Sequence, residues 1–302
     1  MSQEALSSSD TPFTEGFTKA LKLDCTTSAT PASNGTLQVQ YSTEGQDLQQ
    51  LASGTSSAKT LILSFWIKAT KTGTNVLGGY QDDGGKSFGL TYTINSSNTW
   101  EYKTITIPAN TADVIANDAT RGRIVTWYFS AGTNRTTGTL RSTWTTYATA
   151  DEAPGQVNHA DNTANNIHIT GVQLEVGSQA TAFEHRSFGE ELALCRRYFY
   201  AFQSINDALG ENSFMATSYG SNSVYGVIEF QTEMRATPTV SSGGTWAARA
   251  SDNETFTASF SQQRGGKNNF VVSQAVGSQS ANDGFWCEPN DDAAFMNFDS
   301  EL

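Results

Sequence analysis

Only three cysteines occur in the 302 residues, Cys25, Cys195 and Cys287, and they lie far apart. An odd number at such spacings excludes a disulfide framework and a CxxC metal site, and points to folding in a reducing cytosol. Histidine is as scarce: His159, His168 and His185 form no HxH or HExxH arrangement, so no zinc site is expected. Basic residues number 18 against 30 acidic ones, for a formal charge of −12 and a pI near 4.6. Such a surface repels polyanions, so neither nucleic acid nor an anionic membrane is expected as a partner. No apolar run approaches the length of a membrane helix, and MSQEALSSSD lacks the basic region and apolar run of a signal peptide. GxSxG, P-loop and dinucleotide fingerprints are absent too, so nucleophilic and phosphate chemistry lack support and no cofactor is expected.

What the chain does contain is 26 glycines, abundant Thr, Ser and Asn, and an aromatic content of 11%. Short strands joined by tight turns follow from that mixture. Period-2 patterns recur from Phe17 onward: Leu21, Leu23 and Cys25; Leu37, Val39 and Tyr41; Phe88, Leu90, Tyr92 and Ile94. The run KTLILSFWIKAT reads as a central strand buried on both faces. In WEYKTITIPA the phase slips between Tyr102 and Ile105, which predicts a bulge or a strand end. In NNIHITGVQLEVG the phase changes across Gly171, a second predicted bulge. Regular short strands over about 160 residues, with no long helical periodicity, argue an all-β fold built on an antiparallel jelly-roll sandwich.

One segment breaks the pattern. Ser187-Phe-Gly-Glu190 has the S-x-x-E spacing of a capping box, with Glu190 and Glu191 at the positive end of the helix dipole and Arg196 and Arg197 at the negative end. Leu192, Cys195, Phe199 and Phe202 follow at spacings of three, four and three, a narrow stripe that packs either on its own chain or across a subunit axis. The expected organisation is a docking tail over 1–16, a jelly roll over 17–186, a linking helix over 187–203 and a smaller β domain over 204–302. Strand patterns resume in that last part, in NSFMATSYGS, SVYGVIEFQT, TPTVSS, ETFTASFSQ, NNFVVSQAV and NDGFWCEPNDDAAFMNF.

Carboxylates that a glycosidase pair would need are plentiful, Glu44, Asp47, Asp82, Asp83, Glu101 and Glu152 among them, but spacing in sequence does not pair them across a groove. The chain is read as no enzyme. Asp82-Asp83 and Asn290-Asp291-Asp292 offer oxygen ligands for Ca²⁺ without an EF-hand pattern, and acidic turns are the simpler reading. Six tryptophans carry a stronger signal, because flat aromatics flanked by polar groups stack on sugar rings. Trp66 belongs to the core. The glycan-binding candidates are Tyr80 beside Asp82 and Asp83, Trp100 after the SSN turn, and Trp144 amid Thr and Ser.

The stretch ITGVQLEVGSQATAFEHRSFGEELALCRRYFY, residues 169–200, resembles a segment of virion-associated proteins of tailed phages, many from marine cyanophages. The matching positions include Gly171, Gln173, Glu175, Gly177, Thr181, Phe183, Glu184, Arg186, Glu191, Leu192, Cys195, Arg197 and Tyr198. Weaker likeness extends upstream to about residue 16. The resemblance implies a carbohydrate-binding-like jelly roll, a short helix and a C-terminal β region in a trimeric tail-fibre or capsid-appendage protein. It implies host-surface glycan as ligand, other virion proteins as partners through the N-terminal tail, assembly in the host cytoplasm and a place on the virion surface. Long fibres of this kind carry a large attachment region where this sequence has about 16 residues, which favours a compact knob. The rival readings are a purely structural virion part, such as a capsid decoration, vertex or tail adaptor, and a glycan depolymerase.

Overall fold

The computed structural model describes residues 1–203, 213–218, 223–249, 255–257, 260–275 and 284–301. The chain forms two compact units, Met1–Glu184 and His185–Leu302. Positions 212, 219–221, 254, 258–259, 276 and 282–283 of the expected C-terminal strands lie outside the described residues.

The first unit contains β1 (Ser2–Ala5), β2 (Lys19–Asp24), β3 (Thr36–Glu44), β4 (Leu61–Ala69), β5 (Gly73–Gln81), β6 (Lys86–Ile94), β7 (Glu101–Ile107), β8 (Arg121–Ala131), β9 (Thr145–Thr146) and β10 (Asn166–Val176). They form two five-stranded sheets, in the orders β1, β2, β10, β4, β7 and β3, β8, β5, β6, β9. Every pairing is antiparallel. The fold is an antiparallel jelly-roll sandwich. Alternation explains it: Phe65 and Ile67 of β4, Leu77 of β5, Trp127 and Phe129 of β8 and Ile167 of β10 turn inward and meet in one core.

Gly171 sits at φ +60° where the register of β10 against β4 shifts between Thr170 and Gln173, so the expected bulge is there. Of the bulge or strand end expected between Tyr102 and Ile105, neither is there. β7 pairs with β4 without a break from Glu101 to Ile107. Tyr102 simply points outward, against Trp66 at 5.2 Å between ring centroids.

Residues 1–16, read from sequence as a tail, are folded onto the first sheet. β1 pairs with β2, and Leu6 is buried with Ala20 and Trp100 over the outer face of β4, with Phe17 and Trp66 packed alongside. The Asp10 carboxylate accepts hydrogen bonds from Trp100 Nε1 at 2.8 Å and Lys68 Nζ at 3.2 Å. These donors, Trp100 foremost, lower its pKa to about 2. This cover shields the outer face of β4 in part: Trp66, expected in the core, lies half-buried on that face, as does Lys68. Asp10→Ala is expected to cost about 1–2 kcal/mol and to red-shift the emission of Trp100; an unchanged urea midpoint would show that the strap adds nothing to stability.

In the second unit the capping box is present: Ser187 Oγ accepts from Glu190 N and Glu190 accepts from Ser187 N, starting α1 (Phe188–Arg196). The helix is shorter than the expected 187–203. It stops at Arg196, and Phe199–Gln203 is a strand, β11. Leu192 and Cys195 stay on the helix, whereas Phe199 and Phe202 fall on opposite faces of β11, the first exposed and the second buried. The four therefore form no single helical stripe, and Phe202, packed in the core, is not free for a subunit contact. A strand pairing explains this, since Tyr200 and Phe202 alternate into the core once β11 pairs with a later strand.

The remaining strands are β12 (Phe214–Ser218), β13 (Ser223–Glu229), β14 (Thr239–Gly243), β15 (Thr245–Arg249), β16 (Thr255–Thr257), β17 (Ser261–Gly265), β18 (Asn269–Ala275), β19 (Gly284–Pro289) and β20 (Phe295–Asp299). One sheet has the order β11, β20, β14 and the other β16, β15, β19, β12, β13, β18, β17. Their core holds Phe202, Phe214, Trp246, Phe270, Phe285 and Phe298.

Candidate functional site

Strand alternation gives the second sheet of the jelly roll two unlike faces. Val125, Trp127 and Phe129 of β8 enter the core, which sends Ile124, Thr126 and Tyr128 to the opposite face. The register aligns Gln40 of β3 with Thr126, and Thr126 with Gly78 of β5. Tyr80 lies beside Ile124 on one side and Ser87 of β6 on the other. These residues floor a groove of about 310 Å³, at the small end of the range for ligand clefts.

The glycines of GGY at 78–80 do different work. A Cβ at Gly78 would stand 2.8 Å from Tyr128 Cε2, so the missing side chain lets the Tyr128 ring lie across the strand. A Cβ at Gly79 would stand 2.0 Å from Phe88 Cε1, so that one admits the Phe88 ring instead.

The wall comes from the segment after β9. Tyr147, Asp151 and Glu152 line the groove, and Tyr147 meets Tyr80 edge-on at 5.4 Å. Ala153 anchors the wall, fully buried against Val76 and Tyr128. Backbone bonds add to it, from Gly138 N to Ala150 O at 2.9 Å and from Ala153 N to Arg135 O at 2.9 Å. Behind it, Gln156 Oε1 accepts from Val76 N at 2.7 Å, and Asn75 Oδ1 accepts from both Gln156 Nε2 at 2.9 Å and His159 Nε2 at 2.8 Å.

Charge in the groove is neutralised locally. The Glu152 carboxylate accepts from Arg135 Nη1 and from the Tyr147 hydroxyl. Asp151 accepts from Thr139 N at 2.7 Å and Arg141 Nε at 3.2 Å. The Thr139 amide and then Arg141 hold Asp151 below the usual carboxylate range, the opposite of what a general acid requires. Burial, and then the neighbouring Glu152, raise the Tyr128 and Tyr147 phenols, so both remain neutral. The arrangement offers three tyrosine rings beside that of Phe88, a flat strand floor, and amide, hydroxyl and carboxylate groups at fixed places.

Of the glycan-binding candidates named from sequence, Tyr80 alone lines this groove, joined by Glu152 from the candidate carboxylates. Asp82, in the turn after β5, is held by Arg121 at 2.9 and 2.8 Å, and Asp83 accepts from Ala116 N at 2.8 Å. Trp100 is only 8% exposed, beneath the N-terminal strap on the other sheet. Trp144 packs on Phe88 at 4.8 Å with the Arg123 guanidinium 4.7 Å from its ring, and its Nε1 donates to Pro108 O at 2.7 Å. Sequence reasoning missed Gln40, Gly78, Thr126, Tyr128, Tyr147 and Asp151; the glycine doublet inside a strand was the signal for a close approach.

For the Ca²⁺ reading, Asp291 Oδ2 accepts from Thr245 N at 2.9 Å, as an acidic turn residue does. Among the described residues no group of three or more His, Cys, Asp or Glu could hold a metal ion, and no helix is long and apolar enough to cross a membrane.

No family model matches the chain, and no curated protein matches it. Among solved structures it is similar to a family 16 carbohydrate-binding module, at 17% identity over 53% of this chain and 77% of that one, with a TM-score of 0.24. It is similar to the tandem CBM22-1-CBM22-2 domain from Paenibacillus barcinonensis, at 9% identity over 94% and 86%, with a TM-score of 0.25. Discoidin II from Dictyostelium discoideum follows at 8% identity over 82% and 75%, with a TM-score of 0.20. At these scores and identities the likenesses carry no argument about ligand.

Proposed function

We propose that the first unit binds a glycan chain in the groove over β3, β8, β5 and β6, and that the protein does so as a surface protein of a phage virion that recognises its host. The observation that carries the binding reading is the groove itself, in which Tyr80, Tyr128 and Tyr147 converge with Gln40, Ser87, Asp151 and Glu152. Pyranose rings present apolar C–H faces to aromatic rings and hydroxyls to amides and carboxylates, and this groove supplies both. The virion setting is supported by the resemblance of residues 169–200. A homotrimer would multiply weak single sites by avidity. Docking on other virion proteins through residues 1–16 would use a segment already folded onto its own sheet. Binding, not cleavage, is the activity assigned, in keeping with an ionised Asp151.

Gly78→Leu, which places a side chain where Tyr128 now lies, is expected to weaken glycan binding at least about tenfold, a loss of about 1.4 kcal/mol. Tyr147→Ala, at an exposed wall position, is expected to act in the same direction without disturbing the fold. A glycan array on which the assembled protein binds nothing at high valency would sink the reading.

A purely structural virion role is the second reading, favoured by the enclosure of Trp100 and Trp144 within the chain's own fold. Groove variants that adsorb to host cells as the parent does would favour it.

A further inference from the structure

Of the six tryptophans, Trp286 alone is exposed, at 49%, and the groove makes no use of it. It stands on the outer face of the seven-stranded sheet of the second unit. Opposite it on β12 is Met215, 67% exposed. The register of β12 and β13 sets Val227, 52% exposed, next in line, and Val227 faces Val271 of β18. Arg249 closes the row beside Trp286, and Arg264 closes it beside Val271. The result is an apolar strip one residue deep crossing four adjacent strands, about 14 Å long at the usual strand spacing.

Hydrogen-bonding groups border the strip on both sides. Thr217, Tyr225 and Ser273 face one another along one flank. On the other, Glu288 is nearly buried and ion-paired with Arg249.

We infer that this strip is a second saccharide site, independent of the groove, that seats a β-1,4-linked pyranose chain with one ring on the Trp286 indole. Such a chain is a flat ribbon whose rings turn apolar faces downward and hydroxyls sideways, the pattern of an apolar strip between polar flanks. Large exposed apolar side chains gathered on one face mark a binding surface, whereas scattered ones need no explanation. A protein partner fits less well, because a stable interface engages about 20–30 residues a side.

The test uses the full chain with cellohexaose and chitohexaose as probes. Acrylamide quenches mainly the exposed indole, so a hexaose seated there is expected to lower the quenching constant at least about threefold in the parent and equally in Gly78→Leu. Calorimetry is expected to show a Trp286→Ala chain losing the strip's binding while any binding in the groove is retained; Met215→Glu, also at an exposed position, is expected to weaken the same site. Quenching unchanged by either hexaose, or affinity unchanged in both strip variants, overturns the second site. Failure of the groove would appear separately, as a Gly78→Leu chain that binds as the parent does.

Discussion

Between pH 7 and pH 4 the first unit is expected to lose about 3 kcal/mol of stability through one residue, His159. The ring is 2% exposed, its Nε2 donates to Asn75 Oδ1, and its Nδ1 has no partner. Burial foremost, reinforced by Lys71 and opposed by Asp161, lowers its pKa from 6.5 to about 4. The unfolded chain therefore binds a proton that the folded chain rejects. Stability is complete above about pH 6.5, falls as the pH drops, and levels off below about 4, where both states are protonated. His168, whose pKa burial also lowers, acts with the same sign. Urea midpoints at pH 7, 5.5 and 4 measure the effect, and His159→Gln is expected to flatten the slope. Parallel slopes for the two chains would refute the assignment to His159. Because His159 shares Asn75 Oδ1 with Gln156 behind the groove wall, hydrogen exchange over residues 147–159 is expected to rise first on acidification.

The second large effect belongs to the other unit. Trp246→Ala is expected to cost about 3–5 kcal/mol, the range for removing a large buried aromatic. The indole is fully buried, 5.3 Å from Phe260 and 6.1 Å from Phe214, and stacked at 6.4 Å on Phe202. Its Nε1 donates to Gly243 O at 3.1 Å. Trp246→Phe is expected to cost less, since a ring still fills most of the space. Hydrogen exchange in β12 and β13 after each substitution reads out the difference. Equal protection in the parent and the alanine variant would mean that this cluster does not hold the unit together.

Much of the fold was legible because its signals are local. Gly171 marked its bulge by a change of phase, and Ser187 and Glu190 marked the helix start by spacing alone. The helix end was not legible, because Leu192, Cys195, Phe199 and Phe202 satisfy a helical period while Tyr200 and Phe202 also satisfy a strand period. Pairing with β20, ninety-odd residues later, decides between them. β15 escaped notice because TWAAR carries too few β-formers to stand out. The binding residues were harder still. Alternation says that Gln40, Thr126 and Tyr128 share a face, but not which face lies open or which loop walls it. Trp100, set among polar residues, read as a glycan-binding candidate; Asp10, distant in sequence, encloses it.

The strand Ser2–Ala5 has a further consequence, for solubility. By pairing with β2 it takes the outermost position of its sheet, and it is four residues long with Glu4 half-way exposed near its end. Short, charged outer strands make poor templates for chain-to-chain pairing. Without it, the six-residue β2 would present its unpaired amides and carbonyls along a longer row. The segment that covers Trp100 thus also guards the sheet against edge-to-edge aggregation.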